Sequence, residues 1–209
     1  MFAAIAPTYD RLNRIVSLRQ DQKWRAEAVR LVRLKPGDSA LDLCTGTGDF
    51  LAHLRRAIGH QGRLIGLDFC LPMLELAPEK EPKSGLALGD ACCLPFADDS
   101  FDAVTVGWGI RNVPDIDLAH REIVRVLKPG GRFISVDMAV PRQALIRAAS
   151  QLFTLKGIPM IGGWLSRDKE AYRYLPESTQ RFWSREKLAE SMRAAGMVDV
   201  RWIDRNLGN

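Results

Sequence analysis

Paired cysteines, clustered histidines and long apolar runs are what this chain has least of. Four cysteines, Cys44, Cys70, Cys92 and Cys93, and three histidines, His53, His60 and His120, are spread over 209 residues. No two cysteines stand in C-x-x-C spacing and no histidine completes a zinc-like cluster, so neither a metal site nor a disulfide framework is expected. Free thiols point to a reducing compartment. No run of about 20 apolar residues occurs, which excludes a membrane-spanning helix. A basic stretch leading into an apolar one is missing at the N-terminus, so no secretory leader is expected and the cytoplasm is the expected location. The 46% hydrophobic content is nevertheless enough for a full core in one domain.

What is present begins with Leu41-Asp42-Leu43-Cys44-Thr45-Gly46-Thr47-Gly48-Asp49-Phe50, followed by Arg63-Leu64-Ile65-Gly66-Leu67-Asp68. This reads as a strand, a glycine turn, a helix start, and a second strand ending in a carboxylate. An acid at that distance suits a ribose diol, which both NAD and S-adenosylmethionine carry. The third glycine of a dinucleotide fingerprint is replaced by Leu51, and Asp49 stands where pyrophosphate would meet the helix. A carboxylate there repels phosphate, whereas a sulfonium and an ammonium tolerate it. The turn therefore favours S-adenosylmethionine, the alternative being an ordinary turn with Asp49 as a helix cap.

Strands are predicted over 39–44, 63–68, 86–89, 101–107, 131–138 and 198–204, and helices over about 49–58, 71–77, 116–127 and 185–195, after a largely helical 2–33 interrupted near Pro7. Such alternation means a parallel sheet with helices on both faces. The expected division is an N-terminal helical lid (1–35), a cofactor-binding half (36–140), a substrate-side insertion (141–184) and a C-terminal helix and strand (185–209). The charge is uneven: residues 141–209 hold 12 Lys and Arg against 7 Asp and Glu. Either a solvated basic face or a surface for anionic lipid fits that excess.

Candidate cofactor contacts gather at the strand ends. Asp90, in Gly89-Asp90-Ala91, can accept from an adenine amine or simply cap a turn. Phe69 and Met73 either sandwich an adenine or belong to the core. The fourth strand runs out through Gly107-Trp108-Gly109-Ile110-Arg111-Asn112. The Asn/Asp-Pro-Pro-aromatic turn of base and amide methylation is lacking, so nucleic acid is not an expected partner. Arg111 and Asn112 instead suit an oxygen anion developing on a substrate, unless Arg111 is only a structural salt bridge to Asp115 or Asp117.

The motifs Phe2-x-x-Ile5-Ala6-Pro7-x-Tyr9-Asp10-x-x-Asn13, the Cys44–Asp49 turn, Gly107-x-Gly109-x-Arg111-Asn112-Val113, Arg125-Val126-Leu127-Lys128-Pro129-Gly130-Gly131 and Ala171-Tyr172-Arg173-Tyr174-Leu175-Pro176-Glu177-Ser178 run in this order. Together they closely resemble the ubiquinone/menaquinone biosynthesis C-methyltransferases of the UbiE/MenG type, over nearly the whole chain. The resemblance implies an α/β, class I S-adenosylmethionine-dependent methyltransferase fold, a Rossmann-like doubly wound sheet. It implies S-adenosylmethionine as cofactor and a lipophilic prenylated quinol as acceptor, demethylmenaquinol first, with a benzoquinol or another phenol as alternatives and a non-catalytic cofactor-binding protein as a further one. By position, Cys44, Gly46, Thr47, Gly48, Asp68, Phe69, Asp90, Ala91 and Gly107 would bind the cofactor. Arg111 and Asn112 would act on the acceptor, and Tyr9, Tyr172 and Tyr174 would contact it or serve as core anchors. No metal is implied. A quinol lives in bilayers, so peripheral contact at the inner face of the membrane is expected, testable by flotation with anionic liposomes; a homodimer is compatible with the sequence. Three departures stand out. Gly107 replaces a frequent serine, Pro72, Pro78 and Pro82 crowd the stretch after Asp68, and the seventh strand of the fold has no counterpart after 198–204.

Overall fold

Five apolar segments of the sequence become neighbouring strands: β1 (Ser39–Leu43), β2 (Arg63–Asp68), β3 (Gly85–Leu88), β4 (Phe101–Gly107) and β5 (Leu127–Val136). The computed structural model describes residues 2–138 and 182–205. The sheet order is β3-β2-β1-β4-β5 and every adjacent pair is parallel. The order reverses between β1 and β4, and in such sheets the ligand crevice lies outside the carboxyl ends of the strands at that point. β1 and β4 are buried almost throughout, as their near-continuous apolar sequences require of strands covered on both faces.

Helices cover the two faces. On one, α2 (Gln20–Leu31) and α3 (Leu51–Ile58) bury Ala28, Val29, Leu51, Leu54 and Ile58 against Ala40 and Leu64. On the other, α5 (Ile116–Val126) places Ile116, Ala119, Ile123 and Val126 against Leu41, Leu43, Phe101, Val104 and Val106. Burying each of these large side chains contributes on the order of 1.5–3 kcal/mol. Asp115 caps α5 by accepting from Leu118 N at 2.8 Å, and Ser184 caps α6 (Arg185–Ala194) by accepting from Lys187 N at 3.2 Å. α5 and α6 are joined through His120, whose Nδ1 donates to Ser191 Oγ at 2.7 Å, while that hydroxyl donates to Asp117 at 2.5 Å. Burial pushes the His120 imidazole down to about 4.

The N-terminal helix does not break at Pro7. It runs unbroken as α1 (Phe2–Val16), Pro7 merely removing one backbone donor, and the chain turns afterwards at Leu18 and Arg19, both left-handed. Ile5 and Ala6 pack on Cys70 and Met73, so α1 lies over the region just past β2. The helix expected over 71–77 is reduced to α4 (Leu71–Leu74) and a 3-10 turn, Ala77–Glu79, each beginning with a proline in its first turn. β5 starts earlier than the expected residue 131. Its pairing with β4 jumps from Phe101↔Leu127 to Ala103↔Arg132, a bulge that absorbs Lys128-Pro129-Gly130-Gly131.

The segment 198–204 is irregular rather than a strand. Its alternating apolar side chains find no strand edge to pair with among the described residues, and Val198 remains 86% exposed. Ion pairs hold it instead, Arg185 to Asp204 and Arg205 to Glu27. The expected insertion, 141–184, lies outside the described residues except for its last three. Among the described residues no helix is long and apolar enough to cross a membrane.

Candidate active site

The turn after β1 is built on a buried acid. Asp42 accepts from the hydroxyls of Thr45 and Thr105, both at 2.6 Å, and so ties the turn to β4. Burial pushes its carboxyl up to about 7, against those two hydrogen bonds. Cys44 then takes a left-handed φ of 57°, an unusual conformation for a side-chain-bearing residue and one that clusters at functional sites. Gly48 is required twice over: its φ is +81°, and a Cβ there would meet Ala77 Cβ at 2.9 Å.

Asp68, at the end of β2, closes the turn from the side. Its carboxylate accepts from Gly46 N at 2.8 Å and from Cys70 N at 2.9 Å. Burial raises its pKa against the pull of the Cys70, Gly46 and Phe69 amides. A carboxylate offers about four lone-pair sites, so these amides leave acceptor capacity for a ribose diol. Burial also pushes the Cys44 thiol up, reinforced by the charges of Asp68, Asp42, Asp137 and Asp90, so the turn sits in a concentration of carboxyl groups. That environment suits a sulfonium and an ammonium.

The acid singled out in the sequence for that role, Asp49, does something else. It ion-pairs with Arg14 at 2.8 Å, Lys80 at 2.8 Å and Arg25 at 3.3 Å. Burial opposes its ionisation, but these three cations overcome it and hold the carboxyl well below the usual carboxylate range. A carboxylate so neutralised repels nothing; nor does it cap α3, whose N-cap is Phe50. Its partners show its effect. Arg14 comes from α1 and Arg25 from α2, and both also bind Asp21. Lys80 reaches Asp10 at 2.6 Å, and Thr47 donates to Asp10 at 2.7 Å while accepting from Lys80 at 2.8 Å. The cluster fastens both N-terminal helices onto the glycine turn. Sequence reading missed it because six charges that meet here are scattered from residue 10 to residue 80.

The other candidates fall around this centre. Asp90 is exposed and accepts from Cys92 N at 2.9 Å, while Ala91 belongs to the core. Met73 is buried beneath α1, whereas Phe69 is 62% exposed and meets Phe2 edge-on. Tyr9 packs on the α1 cluster. Gly107 has its physical reason in Phe50, whose Cε2 would lie 2.6 Å from an added Cβ. Trp108 is left-handed at φ 56°, and Arg25 lies over its ring at 4.5 Å. Arg111 does ion-pair, but with Asp137 at 2.5 Å rather than with Asp115 or Asp117. Those acids are engaged elsewhere, at the α5 cap and at Ser191. Asn112 Nδ2 donates to Trp108 O at 3.4 Å. Arg111 also borders a cavity of about 270 Å³ shared with Val113, Phe182 and Trp183. Tyr172 and Tyr174 lie outside the described residues. No group of His, Cys, Asp and Glu among the described residues could hold a metal.

A parallel sheet in this order, with a glycine turn after β1, an acid ending β2 and carboxylates around the crevice, defines a class I S-adenosylmethionine-dependent methyltransferase. Residues 1–208 match the ubiE/COQ5 methyltransferase family, and the chain belongs to that family. It is 39% identical to a demethylmenaquinone methyltransferase of Lactiplantibacillus plantarum, over 100% of this chain and 90% of that protein. It is 43% identical to one of Roseiflexus sp., over 96% and 84% respectively. Among solved structures, a SAM-dependent methyltransferase from Thermotoga maritima matches with a TM-score of 0.65 and 25% identity, over 93% of this chain and 79% of that one.

Proposed function

We propose that this chain transfers the methyl group of S-adenosylmethionine to a ring carbon of a demethylated, prenylated menaquinol. The carrying observation is that carboxylates gather at the glycine turn after β1 while the Arg111 guanidinium, ion-paired with one of them, Asp137, stands past the end of the neighbouring β4. Relatives carrying the demethylmenaquinone methyltransferase name along nearly the whole chain support the acceptor. Asp68 would take the ribose hydroxyls, the backbone around Gly46 and Gly48 the donor's amino-acid portion, the Asp90–Ala91 pair the adenine, and Gly107 the floor beneath it. When bound, the donor supplies an electrophilic methyl on a sulfonium. The chain's own residues supply position and charge. Arg111 favours negative charge on the acceptor oxygen, which is what makes the neighbouring ring carbon nucleophilic, and Asn112 holds the turn that presents it.

The purified protein, given S-adenosylmethionine and a short-chain demethylmenaquinol under reducing conditions, is expected to yield the ring-methylated product by mass spectrometry. Turnover of a benzoquinol instead would move the assignment to the other quinone class. Cofactor binding without methylation of either quinol would overturn the catalytic reading.

A further inference from the structure

Arg111 and Asp137 form a buried ion pair that the protein leaves incomplete. Arg111 Nη1 and Met138 N both donate to Asp137 Oδ1, at 2.5 and 2.8 Å. The two side chains are only 7% and 6% exposed. Among the described residues, Asp137 Oδ2 and Arg111 Nε are buried and have no hydrogen-bond partner. Each such buried, unmatched polar atom costs on the order of 1–3 kcal/mol, and more where it carries charge. The pair stands just past the paired ends of β4 and β5, Gly107 and Val136, at the mouth where the fold places its ligands. One unmatched acceptor and one unmatched donor on a single ion pair call for a group that both donates and accepts. A hydroxyl is that group.

We propose that Asp137 accepts the proton of the acceptor's ring hydroxyl, and that Arg111 holds the oxygen left behind. This rests on the quinol reading above. The O–H bond breaks and its proton passes to Asp137 Oδ2. The electron pair moves through the ring to the ortho carbon, where a carbon–carbon bond to the donor's methyl forms as the methyl–sulfur bond breaks and returns its pair to sulfur. The hydrogen on that carbon then leaves to water as a proton, and Asp137 returns its own proton to the ring oxygen, so one proton is released overall. An arginine, always protonated, cannot take that first proton. Asp137 faces Arg111 from the 3-10 turn Ile110–Asn112 and the Cys44 thiol from the β1 turn, with Asp42, Asp68 and Asp90 adding negative charge around that thiol. Burial raises the Asp137 carboxyl against the pull of the Arg111 charge and of the Met138 and Arg111 backbone amides, bringing its basicity nearer to that of a phenol.

Two readouts test this, kcat against pH and the affinity of S-adenosylhomocysteine-loaded protein for 1-naphthol, which offers the hydroxyl without needing turnover. As pH falls through the Asp137 titration, wild type is expected to lose kcat, because a protonated carboxyl cannot take the ring proton, and to bind naphthol more weakly, because the charge-assisted hydrogen bond to the carboxylate gives way to a neutral one. Asp137→Asn is expected to lower kcat by about 10²–10⁴-fold and to bind naphthol without pH dependence. Asp137→Glu should restore the pH dependence of naphthol binding. An Asn variant with wild-type kcat and an unchanged acid limb would overturn the proposal. Should that variant not fold, the absence of an acid fall in both wild-type readouts overturns it equally. Failure of wild type to methylate any quinol would sink the function proposed above but leave the naphthol measurement to decide on Asp137.

Discussion

Gly107 and Phe50 give the sharpest case of one residue fixing another. A serine at 107 would carry its Cβ to 2.6 Å from the Phe50 ring, and Phe50 is buried against α3 and the sheet. Gly107→Ser is therefore expected to cost about 1–3 kcal/mol by urea unfolding, and Gly107→Ser with Phe50→Leu to recover most of that loss. Equal stability of Gly107→Ser and wild type would mean that the ring has room to move. The pair was half legible in the sequence. Gly107 stood out as a departure, but the ring that explains it lies 57 positions earlier in a segment read only as a helix start. The placement of Asp68 was legible outright, because a carboxylate ending the second strand falls beside the turn after the first. Asp137 was not, since nothing local marks an acid after an apolar strand as the partner of an arginine 26 residues away.

At the scale of elements, the N-terminal helices are held by a buried charge cluster as well as by apolar contact. Arg14 of α1, Arg25 of α2 and Lys80 share Asp49. Removing one partner from a buried network leaves the rest uncompensated. Asp49→Asn is expected to cost roughly 3 kcal/mol and to speed amide exchange in α1 and α2 well before the sheet. Exchange rates in α1 that match wild type would show that Ile5, Ala6 and the α1 cluster alone keep the helix in place. The helices themselves were readable from apolar spacing. Their attachment was not, because a charge's partner depends on tertiary proximity, which no period in the sequence encodes. The 198–204 segment failed for the converse reason: its alternation is sound, but a strand exists only where an edge receives it.

For the whole molecule, buried titratable groups set opposing slopes of stability against pH. His120 sits at about 4 in the fold against an ordinary 6.5. The unfolded chain therefore binds the extra proton between these values, and stability rises with pH across that window. Asp42 sits at about 7 against 3.8, so here the folded chain holds the extra proton and stability falls as pH rises from about 4 to 7. Asp42→Asn removes the second slope. Its stability relative to wild type is expected to improve by up to about 4 kcal/mol between pH 4 and pH 7, read from urea midpoints. A constant difference across that range would mean that Asp42 ionises as freely in the fold as outside it. The parallel sheet and both helical layers followed from strand–helix alternation. The burial that sets these slopes exists only in the folded chain, as do the hydrogen bonds that join Asp42 and His120 to residues 63 and 71 positions away.

The stacking of Arg25 on Trp108 carries one more consequence. Trp24 and Trp108 lie 6.2 Å apart, one on α2 and the other just beyond β4, with the Arg25 cation against the second ring. Indole emission is sensitive to a neighbouring charge and to another indole at that range. The covering helices and the floor of the crevice thus share a built-in optical gauge, and their separation can be followed by intrinsic fluorescence in unlabelled protein.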